Sequence, residues 1–189
     1  DAMESRGLGD VYKRQAVTYV NSDYGKGLSD SFGKAFQALG GTVTISVPHE
    51  TGKADYSAEV ASMDSAGGDA MAVFGYVNQG GPGIMQASLD SGSFDKFILA
   101  DGMYGDDLLT NVEGDLTGTF GTVPGTDSKG AATYADMANA AGLKGSGPFT
   151  GESYDAAALL ILAMQSAGST DGAAIASNVM GVALSLIHI

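Results

Sequence analysis

Four short apolar runs begin at Ala16, Thr42, Ala70 and Phe97, at intervals of 26, 28 and 27 residues. Between them lie amphipathic stretches. From Leu28 the apolar positions Leu28, Phe32, Ala35, Phe36 and Leu39 recur at helical spacing and form one face. Gly40-Gly41, Gly67-Gly68 and Gly92 close the first three of these units, where a helix that has run its course is capped by glycine. A strand followed by a helix at a repeat of this length predicts an α/β fold with a parallel, doubly wound sheet. Ligands of such sheets sit outside the carboxyl ends of the strands. Attention therefore falls on residues 21–27, 75–83 and 101–107.

Element by element, Ala16–Val20 (AVTYV) reads as the first strand and Val43–Val47 as the second, stopped by Pro48. Asp55 is a candidate N-cap for a helix that buries Tyr56, Val60 and Met63. Ala70–Phe74 (AMAVF) is nearly all apolar, as a central strand covered on both faces should be. Pro82 suits the first turn of a helix carrying Ile84, Met85 and Leu89, and Phe97–Leu99 is the fourth strand. Beyond Asp101 the rhythm breaks. Asp106–Val112 reads as a short helix, Gly118–Val123 as a further strand, and Ala131–Ala141 and Thr150–Ala167 as helices. The stretch Ala156–Met164 is apolar almost all round and calls for neighbours on every side. The rest of the chain offers no obvious cover, so this helix is expected to belong to a partial second lobe.

Both ends depart from the pattern. Residues 1–15 (DAMESRGLGDVYKRQ) lack periodicity, and Leu184–Ile189 (LSLIHI) is an apolar tail after a helix that should already have ended. Both strings resemble translated adapter sequence at the edges of gene fragments. They are read as a non-native leader and tail and set aside from the fold.

Composition narrows the chemistry. The net charge of -13 disfavours nucleic acid and anionic membranes, which need basic surfaces. Cysteine is absent, which removes disulfides, thiolate metal sites and a cysteine nucleophile. No apolar run approaches the ~18 residues of a membrane span, so no membrane insertion is expected. The 29 glycines are about twice the usual ~7% share and cluster at helix ends and after strands. Only His49 and His188 are available as bases, and neither falls in the three strand-end loops, which argues against acyl-transfer catalysis. Asp101, Asp106 and Asp107 form no D-x-D-x-D-G loop, and Gly25-Lys26-Gly27 is not a P-loop, so no metal or cofactor is expected.

The segments AVTYVNSDYGKGLSDSFGKAFQALGGTV, GKADYSAEVASM, AVFGYVNQGGPGIMQASLDSG and ILADGMYGD, in this order, resemble the type I periplasmic binding proteins. Within them the resemblance is to the leucine/isoleucine/valine-binding proteins of bacterial ABC importers, and it covers roughly 16–183. It implies a periplasmic-binding-protein-like lobe over 16–120, an interlobe crossover over 121–126, and helices over 127–183 that belong partly to an incomplete N-terminal lobe. It further implies a non-enzymatic protein of the periplasm. Such a protein captures an amino acid, in the first place a branched-chain one, between its lobes and hands it to permease subunits in the membrane. A sensor or amide-binding regulator of the same fold is the alternative. A flavodoxin-like or receiver domain is a third class, but Asn21-Ser22-Asp23 and Lys96 match a receiver's acidic cluster and lysine poorly.

The resemblance also marks site residues. Asp101 follows the fourth strand where the family commonly has Glu, and a ligand ammonium in a closed cleft needs such a carboxylate. The plainer alternative is that Asp101 caps a turn before Gly102. Tyr24 stands in a YG-x-G setting where the family often has tyrosine, either lining the pocket or packing at a helix start. The match slips by a residue or two after the third strand, so Tyr76 or Asn78 is the cleft residue there. Tyr104 is a further candidate. Gly80-Gly81-Pro82-Gly83 is read either as an anion cradle at a helix start or, preferably, as glycines that let the other lobe approach.

Overall fold

The computed structural model describes residues 13–125, 128–145 and 147–187, with side chains through Ser185. The leader reading over 1–12, the end of the crossover at Thr126, and His188–Ile189 lie outside the described residues. The chain divides between Val123 and Pro124 into two compact units.

Unit 1 holds the whole sheet. Its elements are β1 (Arg14–Val20), α1 (Asp23–Ala38), β2 (Thr42–His49), α2 (Ser57–Ala66), β3 (Ala70–Phe74), α3 (Gly81–Ser91), β4 (Phe97–Leu99), α4 (Asp106–Asn111) and β5 (Phe120–Gly121). A single 3₁₀ turn, Asp101–Met103, follows β4 directly. All pairings are parallel, in the order β2-β1-β3-β4-β5. From β1 the chain winds outward to β2, then returns across β1 to β3 and on to β5. The winding direction therefore reverses between β1 and β3, the point above which doubly wound sheets bind their ligands.

Alternation along the strands fills both faces. Ala16, Met71, Val73, Phe97 and Leu99 join Tyr56, Val60, Met63, Ile84 and Met85 in a large cluster under α2 and α3. Val17, Ala72 and Phe74 point the other way, toward Leu28 and Phe32 of α1. The ring of Phe32 meets Phe74 edge-on at 5.2 Å. β3 is buried at all five positions, as its apolar run requires. The α1 face is thinner than the spacing predicts: Ala35 is exposed, and Leu39, past the helix end, is 87% exposed.

Several boundaries differ from the sequence expectation. β1 begins at Arg14, inside the stretch read as a leader, because Arg14 and Gln15 already pair with Thr42 and Val43. Pro48 does not stop β2. It sits opposite Tyr19 within the strand, and β2 is an edge strand, where a missing N–H on the open side costs no ladder bond. Asp55 precedes the cap position rather than occupying it; its carboxylate accepts the Ser57 N–H at 2.8 Å and the Ser57 hydroxyl at 2.9 Å. The strand expected over 118–123 shrinks to two residues, since its only neighbour, β4, is itself three residues long.

Unit 2 consists of helices: α5 (Lys129–Ala140), α6 (Thr150–Ala167) and α7 (Gly172–Ile187). α7 carries the chain on through Leu184, so the expected tail is helical up to Ile187. α6 enters its first turn at Thr150, which puts Glu152 at the positive end of the helix. Its packing is one-sided. Ala163 is buried, while Leu160, Leu162 and Met164 remain open and Ile161 is 62% exposed.

Candidate functional site

Three loops, after β1, β3 and β4, form the rim of the sheet at the point of reversal. Ser22 caps α1, its hydroxyl accepting the Gly25 N–H at 3.3 Å, and this fixes Tyr24 in the first helical turn after β1. Tyr76 follows β3 by two residues, and Asp101 opens the 3₁₀ turn after β4. The Tyr24 and Tyr76 rings stack at 4.7 Å with an interplanar angle of 22°. The Tyr24 hydroxyl donates to Asp101 Oδ1 at 2.9 Å and accepts the Gly102 N–H at 3.1 Å. The Val77 N–H donates to the Gly102 carbonyl at 2.8 Å and ties the second loop to the third.

Gly102 has to be a glycine here. A Cβ on it would overlap the Gly75 carbonyl oxygen and lie 2.9 Å from both Tyr24 Oη and Tyr76 Cδ1.

The electrostatics follow from this packing. Burial first, and then the hydrogen bond to the Asp101 carboxylate, push the Tyr24 phenol up to about 12, so it stays a neutral donor. Its bond engages Oδ1. No ion pair among the described residues involves Asp101. The side chain of Asp101 thus reaches across to Tyr24 instead of capping its own turn. A half-buried carboxylate beside two aromatic rings can pair chemically with a cationic group attached to an apolar body.

Of the five residues singled out in the sequence, the structure brings Tyr24, Tyr76 and Asp101 into one contact set. It does not bring in the other two. Asn78 is exposed on the loop beyond Tyr76. Tyr104, 57% exposed, lines a separate groove of about 360 Å³ walled by Leu99, Met103, Leu108 and Val123. For Gly80, Gly81 and Gly83 the structure gives a reason within unit 1. The missing Cβ atoms of Gly80 and Gly83 make room for Tyr56, and that of Gly81 for Met103, all within unit 1. Among the described residues no group of three or more His, Asp and Glu side chains gathers into a potential metal site.

One family model, that of the periplasmic binding proteins, matches residues 2–185. The chain belongs to the periplasmic binding protein family. This is a family of solute-binding proteins, not of enzymes. Among curated relatives, the Leu/Ile/Val-binding protein homolog 1 of Brucella abortus (strain 2308) is 30% identical over 158 residues, which are 82% of this chain and 42% of the relative. The solved leucine-binding protein LivK of Thermotoga maritima MSB8 superposes with a TM-score of 0.71 at 25% identity, over 94% of this chain and 51% of that one. The branched-chain amino acid substrate-binding protein LivJ of Streptococcus pneumoniae, solved with isoleucine, gives a TM-score of 0.68 at 22% identity, over 94% and 50% of the two chains. The chain therefore spans about half the length of these relatives. Similarity to the leucine/isoleucine/valine-binding type places it among the type I periplasmic binding proteins.

Sequence reasoning missed His49, dismissed because it lies in none of the three rim loops. It ends β2, and β2 ends at the same rim as β1 and β3. A strand-end position was the available signal, and it was applied to three strands out of four.

Proposed function

We propose that this chain forms one ligand-binding lobe, within 16–120, and part of a second lobe of the substrate-binding component of a bacterial ABC importer. Residues 121–126 serve as a crossover and 127–183 contribute helices to the second lobe. The protein captures a branched-chain amino acid between its lobes in the periplasm and delivers it to permease subunits in the membrane.

The observation that carries this proposal is the Asp101 carboxylate, oriented by Tyr24 at the reversal point of the sheet. Asp101 meets the ligand ammonium, for which a buried charge needs a charged partner. The stacked faces of Tyr24 and Tyr76 offer apolar surface to the aliphatic side chain. Resemblance to the family assigns the ligand carboxylate to the second lobe. Closure of the two lobes then removes water from all three contacts and favours the closed state by differential affinity. The names of the Brucella relative and of the two solved proteins support branched-chain amino acids as the ligand class.

Titration calorimetry of the full-length protein against a panel of L-amino acids tests the proposal. Leucine, isoleucine or valine should bind at least tenfold more tightly than aspartate, lysine or a simple amide. Preferential binding of an anion or an uncharged amide would refute it.

A further inference from the structure

Beneath the tyrosine pair lies a histidine that the ligand contacts do not use. His49 is fully buried at the end of β2. Its Nδ1 lies 2.8 Å from the hydroxyl of Thr18, also fully buried, on β1. The Tyr56 ring meets it edge-on at 6.2 Å. Its Nε2 is buried without a hydrogen-bond partner. That nitrogen faces Gly75: a Cβ there would stand 3.1 Å from Nε2 and 3.3 Å from Cε1, tighter than a settled contact. The His49 carbonyl in turn accepts the Asn21 N–H at 2.9 Å. One residue thus touches both loops of the aromatic pair, three residues before Tyr24 and one before Tyr76.

We propose that His49 is a positioning residue: its neutral imidazole, wedged between Thr18 and Gly75, sets the height of Tyr76 against Tyr24 and so the direction in which Tyr24 holds Asp101. The consequence for the ligand rests on the function proposed above; the geometric role does not. A charged ring would carry hydrogens on both nitrogens, and the Nε2 hydrogen would face Gly75 with no acceptor. β1 presents the uncharged Thr18, and the loop after β3 presents Gly75. Glu50 follows in sequence. α2 presents Glu59, whose Oε1 pairs with Lys53, and Tyr56 stands at its start. The two glutamates favour the charged ring, but burial outweighs them and pushes His49 down to about 4.

The test uses the full-length protein, as wild type, His49→Gln and His49→Ala. Glutamine keeps an amide within reach of Thr18 and does not titrate. The difference between the wild-type and His49→Gln near-UV circular dichroism at each pH isolates the aromatic side chains that respond to His49, among them the eight tyrosines of this chain. Wild type should lose near-UV signal in a step centred near pH 4, at the imidazole's titration followed by NMR, while far-UV signal persists. His49→Gln should lack that step and retain only the carboxylate titrations common to both. At pH 7.5, His49→Ala should bind leucine at least tenfold more weakly, and His49→Gln within threefold of wild type. Superimposable near-UV profiles for wild type and His49→Gln would overturn the proposal, as would unchanged leucine binding in His49→Ala. Should His49→Ala not fold, the wild-type and Gln comparison still decides. If wild type binds no amino acid, the proposed function fails while the near-UV profiles still judge His49.

Discussion

Replacing Asp101 by asparagine probes the candidate site most directly. The amide matches the carboxylate in shape and still accepts from the Tyr24 hydroxyl, now 2.9 Å from Asp101 Oδ1, so stacking and loop geometry persist. What disappears is the charge. Removing one partner of a hydrogen-bonded, desolvated charge pair costs about 2–5 kcal/mol. Asp101 is half-buried and its Tyr24 bond survives, so the lower part of that range applies, about 2–4 kcal/mol. At about 1.4 kcal/mol per decade, leucine should bind roughly 30- to 1,000-fold more weakly. Calorimetry on the full-length protein measures it, with 4-methylpentanoate, which lacks the ammonium, as a control ligand. The control should lose no affinity in the variant. A change below threefold for leucine, or an equal loss for both ligands, would refute the pairing of Asp101 with the ammonium.

Two further outcomes follow from the packing around that site. Burial holds the folded His49 at about 4 against 6.5 when unfolded, so between these values the unfolded chain binds the extra proton. Stability is therefore complete above pH 6.5 and declines as pH falls toward 4, by about 3 kcal/mol; His49→Gln should flatten this slope in urea unfolding followed from pH 7.5 to 4, and an unchanged slope would contradict the buried neutral ring. Gly102→Ala should destabilise the fold by about 1–3 kcal/mol through overlap with the Gly75 carbonyl and crowding of Tyr24, and an unaltered urea midpoint would show that the turn relaxes freely.

Much of unit 1 was legible because parallel strands buried on both faces write themselves as apolar runs. Ala70–Phe74 is such a run and is the innermost core strand. Which strands lie at an edge is not written that way, and Pro48 was misjudged for this reason: proline ends a central strand and is harmless on an outer one. The rule that ligands meet the carboxyl ends of strands pointed to the loops of Tyr24 and Asp101, the resemblance marked these two residues within them, and the structure brings the two into contact. The choice between Tyr76 and Asn78 needed coordinates, since only the stacking on Tyr24 separates them. The packing reason for the glycines at 80, 81 and 83 was not legible because what fills their missing side chains is distant in sequence. Tyr56 lies more than twenty residues before them and Met103 more than twenty after. His49 escaped notice because its partners, Thr18 and Gly75, come from two other strands.

The sign of the ligand charge can be argued from the hydrogen bonds alone. The strand order 2-1-3-4-5 is shared with doubly wound proteins that hold phosphates above the same reversal point, so topology does not decide between anion and cation. Anion sites there depend on free backbone N–H groups at loop turns and helix starts. In this chain several of those donors are engaged within the rim itself. The Gly102 N–H goes to the Tyr24 hydroxyl and the Val77 N–H to the Gly102 carbonyl. At the start of α3, the Gln79 and Gly81 N–H groups both go to the Tyr76 carbonyl, and Pro82 has no N–H to give. The Asp101 carboxylate, bonded to a phenol, enters no ion pair among the described residues, and the proposed ligand is expected to bring its positive charge there.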